Sequence, residues 1–430
     1  MKTITTLVFL FFLSFNTFSQ GWMEQTSGVT VQLTSVSVPN ILGNGWICGY
    51  SGTVLRTTNN GMNWANVSGN GIPATVQLIN ILGIDASMAL TAGYIGTTTY
   101  VYRTTNGGSN WQQVFTEANG FIDAIGKIGS SNLFMCGDPV GGRWSLWKSS
   151  NSGANWDSTG LYLSQAGAEA GWNNAMFCTP TNRIWIGTNN TRLYYSSNGG
   201  NSWVIQPTGG ELNSYALYFA SNGDYNDGLM AGATMLRTSN GGLNWTPQTT
   251  IGTGNFGGIT GENAIFDNPP QILTCYYVRS STSIYSGFGG TNFTIAFTAP
   301  SGNYRYIGGN MLAGPFWAVR SNGGITYRAA QAGIISIGNE IPSSFSLHQN
   351  YPNLFNPSTA IRFDVPKSSY VELTVYNSLG SEIAKLINEN LIAGSYEYKW
   401  DVPDRISSGI YYYKLETNGF LQTKKMILIK

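Results

Sequence analysis

Histidine is nearly missing from this chain of 430 residues: His348 stands alone, which excludes any His-rich metal site. The four cysteines, Cys48, Cys136, Cys178 and Cys275, are scattered with no C-x-x-C pair, and that excludes the usual zinc and redox motifs. Charge is scarce as well. Lys, Arg, Asp and Glu make up 10% of the residues, against about 25% in an ordinary soluble domain. The 22 basic and 21 acidic residues nearly cancel, so no net field is available to gather nucleic acid or an anionic membrane. Beyond the first 19 residues the long hydrophobic stretches alternate with polar residues, and no transmembrane segment is expected in the mature chain.

What replaces charge is glycine (54), aromatics (13 Trp, 24 Tyr, 20 Phe) and abundant Ser, Thr and Asn. These favour short strands joined by tight turns, so the predicted class is all-β. Residues 1–19 carry Lys2, an apolar run from Leu7 to Phe15 and the small residues Thr17 and Ser19, the pattern of a secretory signal peptide. The run is too short to span a bilayer, and no cysteine follows it to carry a lipid. Export permits disulfides. Cys48 in GWICGY and Cys136 in LFMCGD nevertheless occupy matching places in two repeats, which predicts buried thiols on separate sheets, and Cys178 and Cys275 have no evident partner.

An octet recurs along residues 57–327: TTNNGMNW ending at Trp64, TTNGGSNW at Trp111, SSNSGANW at Trp156, SSNGGNSW at Trp203 and TSNGGLNW at Trp245. Two weaker copies follow, SGFGGTNF ending at Phe293 and RSNGGITY ending at Tyr327. Successive aromatics lie 47, 45, 47, 42, 48 and 34 residues apart, the period of a blade of four short strands. Each octet is expected to be a hairpin turn. Side chains of Ser/Thr and of Asn59, Asn106, Asn151, Asn198, Asn240 and Asn322 would accept from turn N–H groups. Gly61, Gly108, Gly153, Gly200, Gly242 and Gly324 would supply positive φ. The aromatic is then a structural anchor packed between sheets.

These octets resemble those of seven-bladed propellers built from bacterial neuraminidase-type Asp-box repeats, and within them the photosystem II assembly/stability factor-like group. The resemblance covers about residues 20–332 and implies a β-propeller; this chain has Asn where that family more often has Asp. The segment GWMEQTSG around Trp22 looks like the end of an octet, and it is expected to lend a strand to the last blade and close the ring.

After a linker placed at 333–340, charge rises: nine acids and nine bases fall between Glu340 and Lys430. Strands AIRFDV, VELTVYN, GSYEYKWD, GIYYYKLET and KKMILIK predict a small immunoglobulin-like antiparallel β-sandwich over 341–430. His348 reads as a solvated loop residue. YPNLFNPST, VELTVYNSLGSEI, SGIYYYKL and the ending QTKKMILIK resemble the type A C-terminal sorting domain of the type IX secretion system. That resemblance implies the type IX translocon and sorting peptidase as partners, a secreted or cell-surface location reached through the periplasm, and a sorting signal that includes Gly409, Tyr411, Lys424 and Lys425.

Because Asp-box propellers include sialidases, a secreted glycoside hydrolase is the alternative function. It would need two carboxyls across the scissile bond, yet the propeller has only twelve acids and none sits in a recognisable catalytic motif. Asp138, Asp224 and Asp227 read as turn residues. A basic residue precedes four octets, Arg56, Arg103, Lys148 and Arg237, and these form a candidate binding arc for an acidic partner, unless their stems merely cover the next strand. The expectation is a non-catalytic binding or scaffold propeller with no metal or cofactor and an unidentified glycan or protein ligand.

Overall fold

The computed structural model describes residues 21–430 except 40–42, 221–224, 265–270, 310–313, 330–333, 337–341, 368, 392–393, 403–405 and 418. The signal segment 1–19, Asp224 and most of the 333–340 linker therefore lie outside the described residues. Seven antiparallel sheets form the propeller. From the channel outward, blade 1 runs Leu33–Ser37, Gly45–Gly49, Thr53–Thr57 and Ala65–Asn66. Blades 2, 4, 5 and 6 repeat this four-strand meander, starting at Gln77, Gly171, Ala216 and Phe256. Blade 3 has three strands, Ile122–Lys127, Leu133–Val140 and Arg143–Ser149, with two isolated bridges, Lys148–Asp157 and Arg143–Ser164, where a fourth would lie.

Blade 7 joins the two ends of the ring. Its strands Tyr304–Gly309, Phe316–Arg320 and Ile325–Arg328 are completed by Met23–Gln25, with Glu24 opposite Thr326. Closure removes a free edge from the sheet ring, as the GWMEQTSG segment predicts.

Five octets build one hydrogen-bonded turn. In blade 2, Thr104 Oγ1 accepts from the N–H groups of Asn106 (3.4 Å) and Gly108 (3.0 Å) and donates to Asn106 Oδ1 (2.9 Å). Asn106 Oδ1 also accepts from Asn110 N at 3.0 Å. The same set recurs at Thr57, Ser149, Ser196 and Thr238, each with its own Asn and Gly. Gly108 must be glycine on two counts: its φ is +85°, and a Cβ there would stand 2.6 Å from Val67 of the preceding blade. Thr104→Val should cost about 1–3 kcal/mol because it strands the buried N–H of Gly108 and takes an acceptor from the partly buried N–H of Asn106, while Thr104→Ser should cost little; urea melts of the two variants check this.

The seventh octet departs from the others. RSNGGITY is the hairpin between the second and third strands of blade 7, so Asn322 and Gly324 do not occupy the third-to-fourth-strand turn. Tyr327 lies in the third strand and packs on Trp317 of its own blade, at 5.1 Å between ring centroids. That is the position of Tyr195 and Tyr285, which pack on Trp185 and Tyr277, each at 4.8 Å between ring centroids. Trp22, which immediately precedes the closing strand, takes the seventh anchor instead. It is buried and meets Tyr276 of blade 6 edge-on at 5.5 Å.

Trp22 repeats the contact of the true octet anchors. Trp64 meets Trp317, Trp111 meets Trp46 and Trp203 meets Phe134, in each case on the second strand of the preceding blade. Trp156 joins the cluster of Leu90 and Leu133, and Trp245 and Phe293 join the large blade 4–6 cluster. Trp111 and Phe293 are buried, whereas Trp64, Trp156, Trp203 and Trp245 are only half-buried.

The C-terminal module is a β-sandwich of two four-stranded sheets. One orders Ile334–Ser336, Gly394–Asp401, Ser358–Val365 and Ser346–Leu347; the other orders Glu382–Leu391, Ser369–Asn377, Gly409–Thr417 and Phe420–Leu428. Ile334–Ser336 thus adds a strand where a linker is expected, because it pairs with Tyr396–Tyr398. Glu382–Leu391 is a strand that sequence patterning misses: its Glu, Lys and Asn content hides the alternation, and two bulges shift its register on Ser369–Asn377. Ile361, Phe363, Val371, Leu373, Tyr413 and Leu415 fill the space between the sheets.

Candidate functional site

The innermost strands line a central channel with two openings. Toward their C-terminal ends a cavity of about 640 Å³ is walled mostly by aliphatic side chains such as Val36, Ile81, Ile125, Leu217, Ile259 and Ile307. Toward their N-terminal ends a smaller bowl of about 280 Å³ is lined by Gln32, Tyr50, Trp172, Asn173, Tyr215, Asn255 and Arg305 among others. Asn174 touches both.

Asn174 reaches the channel through a break in pairing. The innermost strand of blade 4 pairs at Gly171–Thr188 and resumes only at Met176–Ile186, and within the gap Asn174 has φ +64°. Asn tolerates that conformation better than most residues. Its Oδ1 accepts from Asn80 Nδ2 at 2.5 Å and from Ser35 Oγ at 3.1 Å, and its Nδ2 donates to Ile79 O at 3.3 Å. Asn80 in turn accepts from Ile125 N at 3.1 Å. Blades 1 to 4 are therefore tied across the channel, and the bulge throws Trp172 and Asn173 into the smaller bowl. Trp172 meets Tyr215 of blade 5 edge-on at 4.6 Å. Among the described residues the side-chain amides of Gln32, Asn173 and Asn255 make no hydrogen bond, and no carboxylate lines either opening.

The acids that cluster near this bulge are closed off. Gly171 N donates to Asp138 Oδ1 at 2.8 Å, and a Cβ on Gly171 would come within 2.3 Å of Asp123 Oδ2. Asp123 is buried, and its Oδ2 has no hydrogen-bond partner among the described residues. Burial, then the neighbouring Asp138, pushes its carboxyl well above the usual range; burial also raises Asp138. Glu169 is equally buried and accepts from Tyr194 Oη at 2.7 Å and Trp144 Nε1 at 3.3 Å. Burial and that carboxylate push Tyr194 up to about 12. None of the three acids opens onto the channel lining.

A raised Asp123 means the folded state holds its proton to higher pH than the unfolded chain does. This contribution to stability is greatest below the unfolded value and declines as pH rises toward the folded value. Asp123→Asn should therefore raise stability at neutral pH and flatten the decline above about pH 4. Melting temperature measured from pH 4 to 8 tests the sign.

The four cations of the expected arc reach toward the next turns of the ring. Arg56 Nε donates to Ala86 O at 2.6 Å, and its guanidinium approaches Gly107; Arg103 Nε donates to Ser152 O at 2.8 Å. Lys148 Nζ bonds Asn201 Oδ1 at 2.5 Å, and Arg237 bonds Gly289 O and pairs with Asp227. Each joins a third strand to the neighbouring blade, so these positions stitch the ring instead of presenting free charge. Asp227, expected as a turn residue, is buried at this pair.

In the sandwich, Gly409 pairs with Leu428, Tyr411 with Met426, and Lys424 and Lys425 stand opposite Tyr413 and Tyr412. Tyr411 is buried with its hydroxyl donating to Ser407 O at 2.7 Å, and Lys425 is exposed. His348 is exposed in the segment after Ser346–Leu347, as expected of a solvated loop residue, and its Nε2 lies 2.7 Å from Asp364 Oδ2. All four cysteines are unbridged, with Cys48 and Cys136 buried on the second strands of blades 1 and 3.

Comparison with known proteins agrees with this anatomy. Residues 16–158 match the family described as photosynthesis system II assembly factor YCF48, and residues 349–430 match the secretion system C-terminal sorting domain. No curated protein matches. Among solved structures, "YCF48 bound to D1 peptide" aligns with a TM-score of 0.55 at 14% identity, covering 72% of this chain and 97% of the other. YCF48 from Cyanidioschyzon merolae aligns with a TM-score of 0.57 at 14% identity, covering 72% and 98%. At that identity the likeness shows the propeller fold. The C-terminal module directs the chain through type IX secretion to the cell surface or the medium.

Proposed function

We propose, from the premise that a YCF48-like repeat propeller is here joined to a type IX sorting domain, that the propeller is an exported, non-catalytic binding module whose ligand enters the Trp172 bowl. The translocon and its sorting peptidase read the C-terminal module, and the propeller is the cargo. One observation carries this reading: the bowl gathers side-chain amides without partners and aromatic rings from several blades, with no carboxylate in its described lining. Such a lining offers hydrogen bonds and ring faces, the features of a recognition pocket, and lacks the acid pair of a glycosidase. A related fold described as bound to a peptide supports a propeller of this type holding a ligand.

The mature full chain should retain a ligand from glycan or peptide arrays. Trp172→Ala and Tyr215→Ala should each weaken retention by about tenfold or more, as expected of aromatic anchors at the centre of a contact. Sugar release on incubation with oligosaccharides, or retention that ignores both substitutions, would overturn the proposal.

A further inference from the structure

We infer that the Trp172 bowl is built for an acidic sugar chain, of the uronate type, whose carboxylate is received by Arg305; this rests on the bowl being the ligand site. Arg305 follows Tyr304 on the innermost strand of blade 7 and is exposed at the rim. It has no ion pair or side-chain hydrogen bond among the described residues. Elsewhere in the propeller the guanidinium groups of Arg192, Arg237, Arg320 and Arg328 all lie against carboxylates: Glu169, Asp227, Glu24 and Glu262. Arg305 lines a bowl whose described lining has no acid at all, so no internal carboxylate competes for its guanidinium and an anionic ligand would supply the counter-charge.

The remaining lining selects sugar over an extended peptide. A peptide docks by pairing with unmet backbone groups along a strand edge. Here most of the rim outside the blade 4 bulge offers no such edge: Gln32 O accepts from Tyr50 N at 2.9 Å and Asn255 O from Ser280 N at 2.9 Å, and the unpaired stretch at Trp172 and Asn173 is too short to pair with a strand. Gly171 N is held by Asp138. The open polar groups of Gln32, Asn173 and Asn255 are side-chain amides, which both donate and accept as a sugar hydroxyl does, beside the rings of Trp172, Tyr215 and Tyr50. Sugar hydroxyls meet the amides, C–H faces meet the rings, and the carboxylate meets the guanidinium.

The test is calorimetric titration of the mature full chain with an oligogalacturonate and with the same oligosaccharide after its carboxyls are reduced to alcohols. The uronate should bind about 10-fold more tightly at low salt, and the preference should shrink as salt rises. Arg305→Gln, at an exposed position where folding is not at stake, should bring the two affinities together. Asn255→Ala, also exposed, should weaken both. Equal affinity of the parent protein for the two oligosaccharides would overturn the acidic assignment while leaving the bowl as the ligand site. Binding confined to peptides would overturn the sugar assignment. Sugar binding untouched by Asn255→Ala, Trp172→Ala and Tyr215→Ala would place the ligand elsewhere and overturn both readings.

Discussion

Without residues 341–430 the protein should accumulate in the periplasm and vanish from the medium and the cell surface. The signal segment would still carry it across the inner membrane, but the part that matches the sorting domain, residues 349–430, would be gone. The sandwich has a core of its own, in which Phe363, Val371, Leu373, Tyr413 and Leu415 are all buried to the last few percent. It is therefore built to present a fixed surface to the translocon. Fractionation and immunoblotting read the outcome. Undiminished appearance of the truncated protein in the medium would refute the role of this module. The converse experiment is equally decisive: residues 341–430 fused to a periplasmic reporter should move that reporter outside.

Trp111→Ala should destabilise the propeller by about 3–5 kcal/mol, and Trp22→Ala by a similar amount. Trp111 is 2% exposed, lies edge-on to Trp46 at 6.1 Å, and donates from Nε1 to Val67 O at 3.0 Å. Its removal leaves a cavity between blades 1 and 2 and deprives a carbonyl of its donor. Trp22 is 9% exposed, lies beside the strand that completes blade 7, and packs on Tyr276 of blade 6. Trp156, Trp203 and Trp245 are half-buried, and their indole N–H groups have no partner among the described residues, so alanine there should cost less. Calorimetric melts of the full chain rank the variants through the transition they shift. Should Trp245→Ala prove as costly as Trp111→Ala, or Trp22→Ala prove silent, the wedge account of the ring fails.

The octets made most of the ring legible. A hydroxyl two positions before Asn and four before Gly is a local device, and local devices need only nearby chain to form, so Thr57, Thr104, Ser149, Ser196 and Thr238 all build the expected turn. The closing strand was legible for the same reason, since GWMEQ carries the end of the same pattern. The seventh copy misleads because the short hairpin loop Ser321-Asn322-Gly323-Gly324 looks like part of an octet in sequence. Only strand pairing reveals that Tyr327 belongs one strand earlier and that Trp22 is the wedge.

The candidate site was much less legible. Nothing in the string GWNNAMF signals that pairing lapses from Trp172 to Ala175, or that Asn174 meets Asn80 and Ser35 from blades 2 and 1. The octet that follows Arg56 marks it in sequence and nothing in NYRYIG marks Arg305, yet Arg56 reaches the next blade and Arg305 is left without a counter-ion among the described residues.

Composition, the octet and its period, the signal segment and the C-terminal motifs determined the all-β class, the ring of blades and the route of export. Each of these depends on contacts between residues close in the chain, or on a segment recognised as a unit. Tertiary structure alone decided which aromatics are wedges, which cations are engaged, which acids are shut away and which amides remain open. Those properties arise where seven innermost strands from distant parts of the chain converge on one axis, and a side chain's chemistry there is set by neighbours that sequence proximity does not record.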